Sequence, residues 1–401
     1  MLKLFDMRKI IGYSLALAAF LGFSVAAIAQ TEINYDESKV PEYTLPDPLL
    51  TESGKVVRNK RQWEKTRRTE IFSLFESEMF GRMPGKPSGM HFKQLSSDST
   101  ALEGKATRKE VAVYFDEKDS LGMTLLMYVP NDRKGPVPAF LGANFKGNAG
   151  TVGENARRWP FEYIISQGYA VVTFAREDVD PDWHDGFKNG IHGLMDAGKE
   201  RQADSWGTVA AWAWGLSRAM DYLETDEAID SRKVAVFGHS RLGKASLWAG
   251  ATDERFAIVI SNNSGCSGAA ISRRRFGEHL HRINTAFPHW FCTNYHKYSD
   301  KEHLLPFDQH ELIALIAPRP VYVASASLDR WADPKGELLS LVHASPVYEL
   351  YGYDPFDVKE LPSVNTAIST DRMGYHLREG KHDMVLFDWQ HYVAFADRFF
   401  K

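Results

Sequence analysis

A doubly wound α/β fold with a mostly parallel sheet is predicted for this chain by three observations. Short apolar runs without strict alternation recur at residues 137–141, 169–174, 234–237, 256–261 and 320–324, the texture of strands buried on both faces. Helical patterns fall between them, and alternation of strand with helix is what builds such a sheet. Finally, an apolar, β-branched strand at residues 233–237 stops at Gly238-His239-Ser240 and turns directly into a helical segment from Arg241 to Gly250.

Taken in order, the chain opens as a targeting segment. Lys3, Arg8 and Lys9 precede an apolar run over residues 10–29 that ends in Ala27-Ile28-Ala29. A basic head, an apolar middle and a small-residue end describe a secretory signal peptide, with cleavage near Ala29 and a secreted or periplasmic product. An uncleaved anchor is the competing reading, because the run is almost long enough to span a bilayer. Loss of residues 1–29 takes away three bases and one acid, leaving a formal charge of −6 where the whole chain carries −4. A mildly acidic surface speaks against nucleic acid as a partner. The remaining ~370 residues suit one large domain, residues 30–401.

Residues 30–60 carry Pro41, Pro46 and Pro48 and read as an extended lead-in. The spacing of Trp63, Ile71, Leu74, Phe75 and Met79 predicts an amphipathic helix over residues 63–80, closed by Gly81 and Pro84. Alternating segments at 90–95, 109–115 and 123–129 predict an antiparallel meander ahead of the parallel strands. A stripe of Trp206, Val209, Ala213, Leu216, Met220 and Leu223 marks a helix over 204–223, and an aromatic-rich helix over 387–400 ends the chain. No repeat, low-complexity tract or domain boundary interrupts this order.

The Ser240 stretch matches the strand–turn–helix context of the nucleophile elbow of α/β-hydrolases, whose mostly parallel sheet lies in a three-layer sandwich. The second glycine comes one residue late, at Gly243. Two rival readings exist. Ser240 could simply cap the helix from Arg241. Alternatively, Gly238-x4-Gly243-Lys244 is the core of a phosphate-binding loop, but Ala245 stands where that loop needs a magnesium-binding hydroxyl. A nucleotide is therefore not expected.

A serine hydroxyl needs a base, and the base an orienting acid. Chain order in α/β-hydrolases is serine, acid, histidine. His382 lies in a polar turn between a strand-like run at 374–378 and the last helix, whereas His376 sits within the strand and His310 beside an apolar helix. Asp329 follows the strand at 321–325 closely, the favoured acid position. Asp333 competes, though the Pro334 after it reads as the first turn of a helix with Asp333 as cap. The Arg241 backbone N–H and guanidinium are candidate oxyanion donors, and the loop 142–148 is a further one.

With these residues in place, Gly238-His239-Ser240-Arg241-Leu242-Gly243-Lys244 resembles the Gly-Cys-Ser-Arg-x-Gly-Lys motif of glucuronoyl esterases, carbohydrate esterase family fifteen. The late glycine belongs to that motif. Similar stretches of the bacterial branch match Ser261 to Cys266, Arg273 to Glu278, Phe287 to Cys292, Ala317 to Pro320, Leu328 to Pro334 and Gly380 to Asp383, so the likeness spans nearly the whole mature chain.

The resemblance implies a serine esterase that hydrolyses the ester between (4-O-methyl)glucuronic acid of glucuronoxylan and lignin alcohols through an acyl-enzyme. It implies neither metal nor nucleotide, and a monomer is expected. Carried over by position, Ser240 is the nucleophile, His382 the base, Asp329 the acid and Arg241 the oxyanion donor. Lys244 and Glu278 then bind sugar hydroxyls and Trp331 lines the sugar ring. Many relatives carry a catalytic Glu where this chain has Asn263, so the negative charge must come from elsewhere, as Asp329 can supply it. His239 replaces the motif's Cys, which removes the disulfide some fungal relatives form there. Cys266 and Cys292 lie in two matched stretches, and a bridge between them would contribute roughly 3 kcal/mol; free buried thiols are the alternative. An acetyl or feruloyl esterase and a catalytically silent glycan-binding protein are the rival functions.

Overall fold

The computed structural model describes residues 33–153 and 156–401; the predicted signal peptide, residues 1–29, lies outside the described residues. Ten strands form one sheet: β1 (His91–Asp98), β2 (Ala106–Tyr114), β3 (Gly122–Pro130), β4 (Val137–Asn144), β5 (Ala170–Ala175), β6 (Ile229–His239), β7 (Ile258–Asn262), β8 (Val321–Ala326), β9 (Thr366–Ser369) and β10 (Met373–Arg378). Their spatial order is β1-β2-β3-β5-β4-β6-β7-β8-β10-β9. The six central strands from β5 to β10 pair in parallel, while the β1–β3 meander and β9 add antiparallel edges.

The missing alternation in the central strands has a direct cause, because both faces of the sheet are covered. Val137, Ala139, Leu141, Val234, Val236, Val259, Val321 and Val323 point into one core, shared with the helices Thr208–Leu223, Arg241–Thr252 and Pro334–Glu349. The intervening Phe140, Ala235, Phe237, Ile258, Ile260 and Tyr322 face a second core under the helix Leu386–Phe400. There the Trp389 ring stands edge-on to Phe237 and Phe140, with centroids 4.7 and 5.4 Å away. Helix, sheet and helix make the three layers expected.

Local departures from the sequence reading follow from tertiary pairing. The helix expected from 204 begins at Thr208, because the Asp204 carbonyl accepts from Arg82 N–H and Gly207 N–H donates to the Phe80 carbonyl. Residues 60–80 are helical throughout but include two wide π-type turns, at Trp63–Arg67 and Glu76–Phe80. Strand β9 was not anticipated: it is four residues long and largely exposed, so it carries no apolar pattern. Cys266 and Cys292 are both free and buried. Their sulfurs meet Ser267 and the Ser77 carbonyl respectively, each at 3.7 Å, and burial pushes both thiol pKa values up, that of Cys292 to about 11.

Candidate active site

The site forms where four adjacent strands end. Sheets of this kind leave a crevice beyond the carboxyl ends of their strands, and β6, β7, β8 and β10 deliver Ser240, Asn263, Asp329 and His382 into it. Backbone bonds continue the strand pairing into the loops. Ser240 N–H donates to the Asn262 carbonyl (2.8 Å) and Asn263 N–H to the Ala324 carbonyl (2.7 Å). Likewise Ser327 and Leu328 N–H donate to the Arg378 and Gly380 carbonyls, both at 2.9 Å. The acid loop and the histidine loop are thus extensions of one parallel pair.

Ser240 has φ 59° and ψ −129° and makes no side-chain capping bond. A non-glycine residue held there stores about 1–3 kcal/mol of strain, which persists only where the surroundings impose it. Helix capping therefore does not account for the serine. The late glycine has a steric origin. A Cβ on Gly238 would lie 2.0 Å from the Leu242 carbonyl oxygen, and one on Gly243 would lie 3.0 Å from Ser264 Cβ and 3.1 Å from the Gly238 carbonyl. The helix thus crosses its own strand at Gly238 and touches the β7 loop at Gly243. Leu242, at the usual glycine position, instead points into the core.

His382 Nδ1 lies 2.6 Å from Asp329 Oδ2, and the same oxygen accepts from Asn263 Nδ2 at 2.7 Å. The Asp329 side chain is only 3% exposed and that of His382 40%, so the pair joins a buried carboxyl group to an accessible ring. With Nδ1 committed, Nε2 is the nitrogen left for the serine; among the described residues no hydrogen bond yet joins it to the hydroxyl. The loop carrying His382 is braced by buried Arg378, which donates to the Glu379 (3.0 Å) and Lys381 (2.8 Å) carbonyls and to the Asp388 carboxylate (3.1 Å). Next to the His382 ring, 4.6 Å between centroids, lies His239. Its Nδ1 is bonded to Asn262 Oδ1 (2.6 Å), and burial first, then His382 itself, hold its pKa well below the usual imidazole range.

Ser240, Arg241, Lys244, Glu278, Trp331 and His382 share the lining of one cavity of about 390 Å³. Arg241 lies over the Trp290 and Phe287 rings, at 4.6 and 5.0 Å, and forms an ion pair with Asp182. Lys244 Nζ donates to the Ser264 and Cys266 carbonyls, with Glu278 at 3.8 Å. Glu278 N–H in turn donates to the Trp331 carbonyl at 2.9 Å. Desolvation pushes this buried pair towards neutrality from both sides: the Lys244 pKa is lowered and that of Glu278 raised, each opposed by its partner's charge.

Other candidates lie elsewhere. Asp333 caps the helix Pro334–Glu349 by accepting from Gly336 N–H (3.0 Å) and pairs with Arg274 at 2.8 Å. His376 is buried against Asp388 (2.8 Å), and His310 bonds the Pro46 carbonyl (2.9 Å). The 142–148 loop lines a separate cavity of about 130 Å³ with its Asn144, Phe145 and Lys146. Asp182, Trp290 and Arg378 were not singled out from the sequence. Asp182 had one usable signal, its place in the segment that follows the parallel strand β5.

A family model described as "Glucuronyl esterase, fungi" matches residues 113–352. Carbohydrate esterase MZ0003, from an unknown prokaryotic organism, is 48% identical over 398 residues, covering 91% of each chain. The structure of the glucuronoyl esterase from Solibacter usitatus is 43% identical with a TM-score of 0.86, over 90% of this chain and 99% of that one. A variant of the Sporotrichum thermophile glucuronoyl esterase, in complex with methyl 4-O-methyl-β-D-glucopyranuronate, is 25% identical with a TM-score of 0.65, over 92% and 91% of the two chains. With that likeness running the length of an α/β-hydrolase sheet, the chain belongs to the glucuronoyl esterases of carbohydrate esterase family 15 and is a carboxylic ester hydrolase.

Proposed function

We propose that this enzyme hydrolyses esters of the carboxyl group of (4-O-methyl)glucuronic acid side chains on xylan, with lignin alcohols as the leaving groups. His382 Nε2 takes the Ser240 proton as Oγ bonds to the ester carbonyl carbon. Asp329, fixed on Nδ1, holds the tautomer and stabilises the imidazolium. The negative charge that develops on the carbonyl oxygen meets the Arg241 N–H and guanidinium; a donor in such a place is worth about 3–4 kcal/mol. Collapse expels the alcohol, which leaves with the proton from His382. Water then repeats the cycle on the acyl-enzyme, releasing the uronic acid and restoring Ser240.

The observation that carries this reading is the shared cavity. Ser240, His382 and Arg241 line it together with a buried ammonium–carboxylate pair, Lys244 and Glu278, and the Trp331 ring. One apolar face plus a polar edge suits a sugar ring, and the Arg241 guanidinium in the cavity of Ser240 suits the negative charge that develops on the ester carbonyl oxygen. Residues 30–401 act as one monomeric catalytic domain, and residues 1–29 direct export.

Turnover of benzyl glucuronate against an acetyl ester tests the proposal. Ser240→Ala should abolish hydrolysis with an unchanged melting temperature, and the wild-type enzyme should favour the glucuronate ester. Activity retained in Ser240→Ala, or a preference for acetyl esters, would overturn it.

A further inference from the structure

The ion pair of Arg241 has a built environment of its own. Asp182, in the segment after β5, is 6% exposed at its side chain and receives four donors. Two guanidiniums meet its Oδ2, those of Arg241 and of Arg176, the latter at 3.0 Å. On Oδ1 it accepts from Trp290 Nε1 (2.8 Å) and from His289 Nε2 (3.1 Å). Burial raises the carboxyl pKa, but the His289 bond and the two guanidiniums outweigh that and hold it below the usual range. Trp290 therefore serves twice: its N–H fixes the carboxylate, and its face carries the guanidinium that the carboxylate grips. That ring is itself stacked on Phe287, 3.9 Å between centroids and 4° from parallel. Arg241 Nε is buried without a hydrogen-bond partner among the described residues.

A long side chain that must meet a short-lived oxyanion loses rate if it has to be immobilised at each turnover. Here the immobilisation is already complete. Asp182 also shares the charge of Arg241, and this bears on product release. Hydrolysis leaves a carboxylate beside Arg241 and Lys244, where an unshared guanidinium would bind it by charge-assisted hydrogen bonds.

We propose that Asp182 is a positioning residue that holds the Arg241 guanidinium on the Trp290 face and divides its charge, so that the oxyanion donor is aimed before the ester binds and the product carboxylate is let go. This rests on the reading of Arg241 as oxyanion donor. In Asp182→Asn, kcat on benzyl glucuronate should fall about 10- to 100-fold, the cost of misplacing a catalytic group by about an ångström, with KM little changed. Inhibition by free glucuronate should tighten several-fold. Asp182→Glu, which keeps the charge, should recover part of the loss. Because Asp182 acts through Arg241, adding Asp182→Asn to Arg241→Ala should cost no further activity.

Wild-type kcat and product inhibition in a folded Asp182→Asn, alongside an Arg241→Ala slowed about 10²- to 10³-fold, would overturn the inference while leaving the esterase reading intact. Full activity in Arg241→Ala would remove the donor reading and this inference with it. Should Asp182→Asn fail to fold, Trp290→Phe removes one donor to Asp182 and keeps an aromatic ring under Arg241. It should lower kcat in the same direction, and a wild-type kcat there counts against the proposal.

Discussion

Asn263 and Asp329 are joined by a 2.7 Å hydrogen bond whose acceptor, Oδ2, is the same oxygen that meets His382 Nδ1 at 2.6 Å. The amide stands at the end of β7, and it steadies the carboxylate supplied from the next strand, β8. A donor in place of a carboxylate lets one anion serve two partners without a like charge beside it.

Two substitutions read that arrangement. Asp329→Asn removes the anion while keeping the shape, and kcat on a glucuronate ester is expected to drop by about 10⁴-fold. Asn263→Asp instead places a second carboxyl against Asp329. Two carboxylates in contact cannot both ionise at their ordinary pKa, so one is raised. Below that raised value the pair retains a proton and His382 meets a weaker anion; the acid limb of the kcat profile should move to higher pH. An unmoved limb in Asn263→Asp would mean that Asp329 is not the acid coupled to His382.

Lys244 and Glu278 make a specificity prediction. Leu at Glu278 alone, or Met at Lys244 alone, leaves one buried charge unpaired, which costs about 3–5 kcal/mol. Both singles should therefore melt well below wild type, and Lys244→Met with Glu278→Leu should regain much of that loss. In the double variant KM should rise for glucuronate esters and stay level for a simple acetyl ester, measured side by side. A parallel rise for both esters would show that the pair supports the fold and not the sugar.

The elbow glycines should differ in tolerance. Ala at Gly238 puts a methyl 2.0 Å from the Leu242 carbonyl oxygen, a backbone clash that cannot relax. That variant is expected not to fold to an active enzyme. Ala at Gly243 meets Ser264 Cβ at 3.0 Å, the Gly238 carbonyl oxygen at 3.1 Å and Ser261 Oγ at 3.2 Å, tight contacts that shifts of a few tenths of an ångström can ease. Overpacking of this kind costs about 1–3 kcal/mol, seen as a lower melting temperature with residual activity.

Glu337 predicts a pH dependence of stability. It is fully buried behind the acid loop, accepting from Ser325 Oγ (2.6 Å) and Gly265 N–H (2.9 Å), and burial raises its pKa to about 8. Between the ordinary carboxyl range and 8 the unfolded chain has lost this proton and the folded chain has kept it. Stability from this group is therefore present at low pH and is lost as pH rises towards 8. Glu337→Gln should flatten that decline, with an advantage over wild type that grows from pH 5 to 8 and reaches on the order of a few kcal/mol. Equal melting temperatures for the two proteins across that range would contradict it.

Much of this molecule is written in local pattern. Unalternating apolar runs specify strands covered on both faces, and Gly238-His239-Ser240 followed by a helix start specifies the elbow, because period and turn chemistry act over a few residues. Chain order and a loop directly after a strand single out His382 and Asp329 for a related reason, and the structure brings the two side chains within 2.6 Å. The edge strand β9 was silent because exposed polar residues leave no periodicity. What the chain order could not supply is which distant groups meet. Asp182 and Arg241 are 59 positions apart, Asp383 is held by Arg157 and Arg158 from across the sheet, and Cys266 and Cys292 remain apart. Such pairings depend on which strand ends become neighbours, and burial then decides their strength. The residue types of the candidate site were thus readable locally, whereas their charge balance and aim were settled only when four strand ends were brought to one crevice.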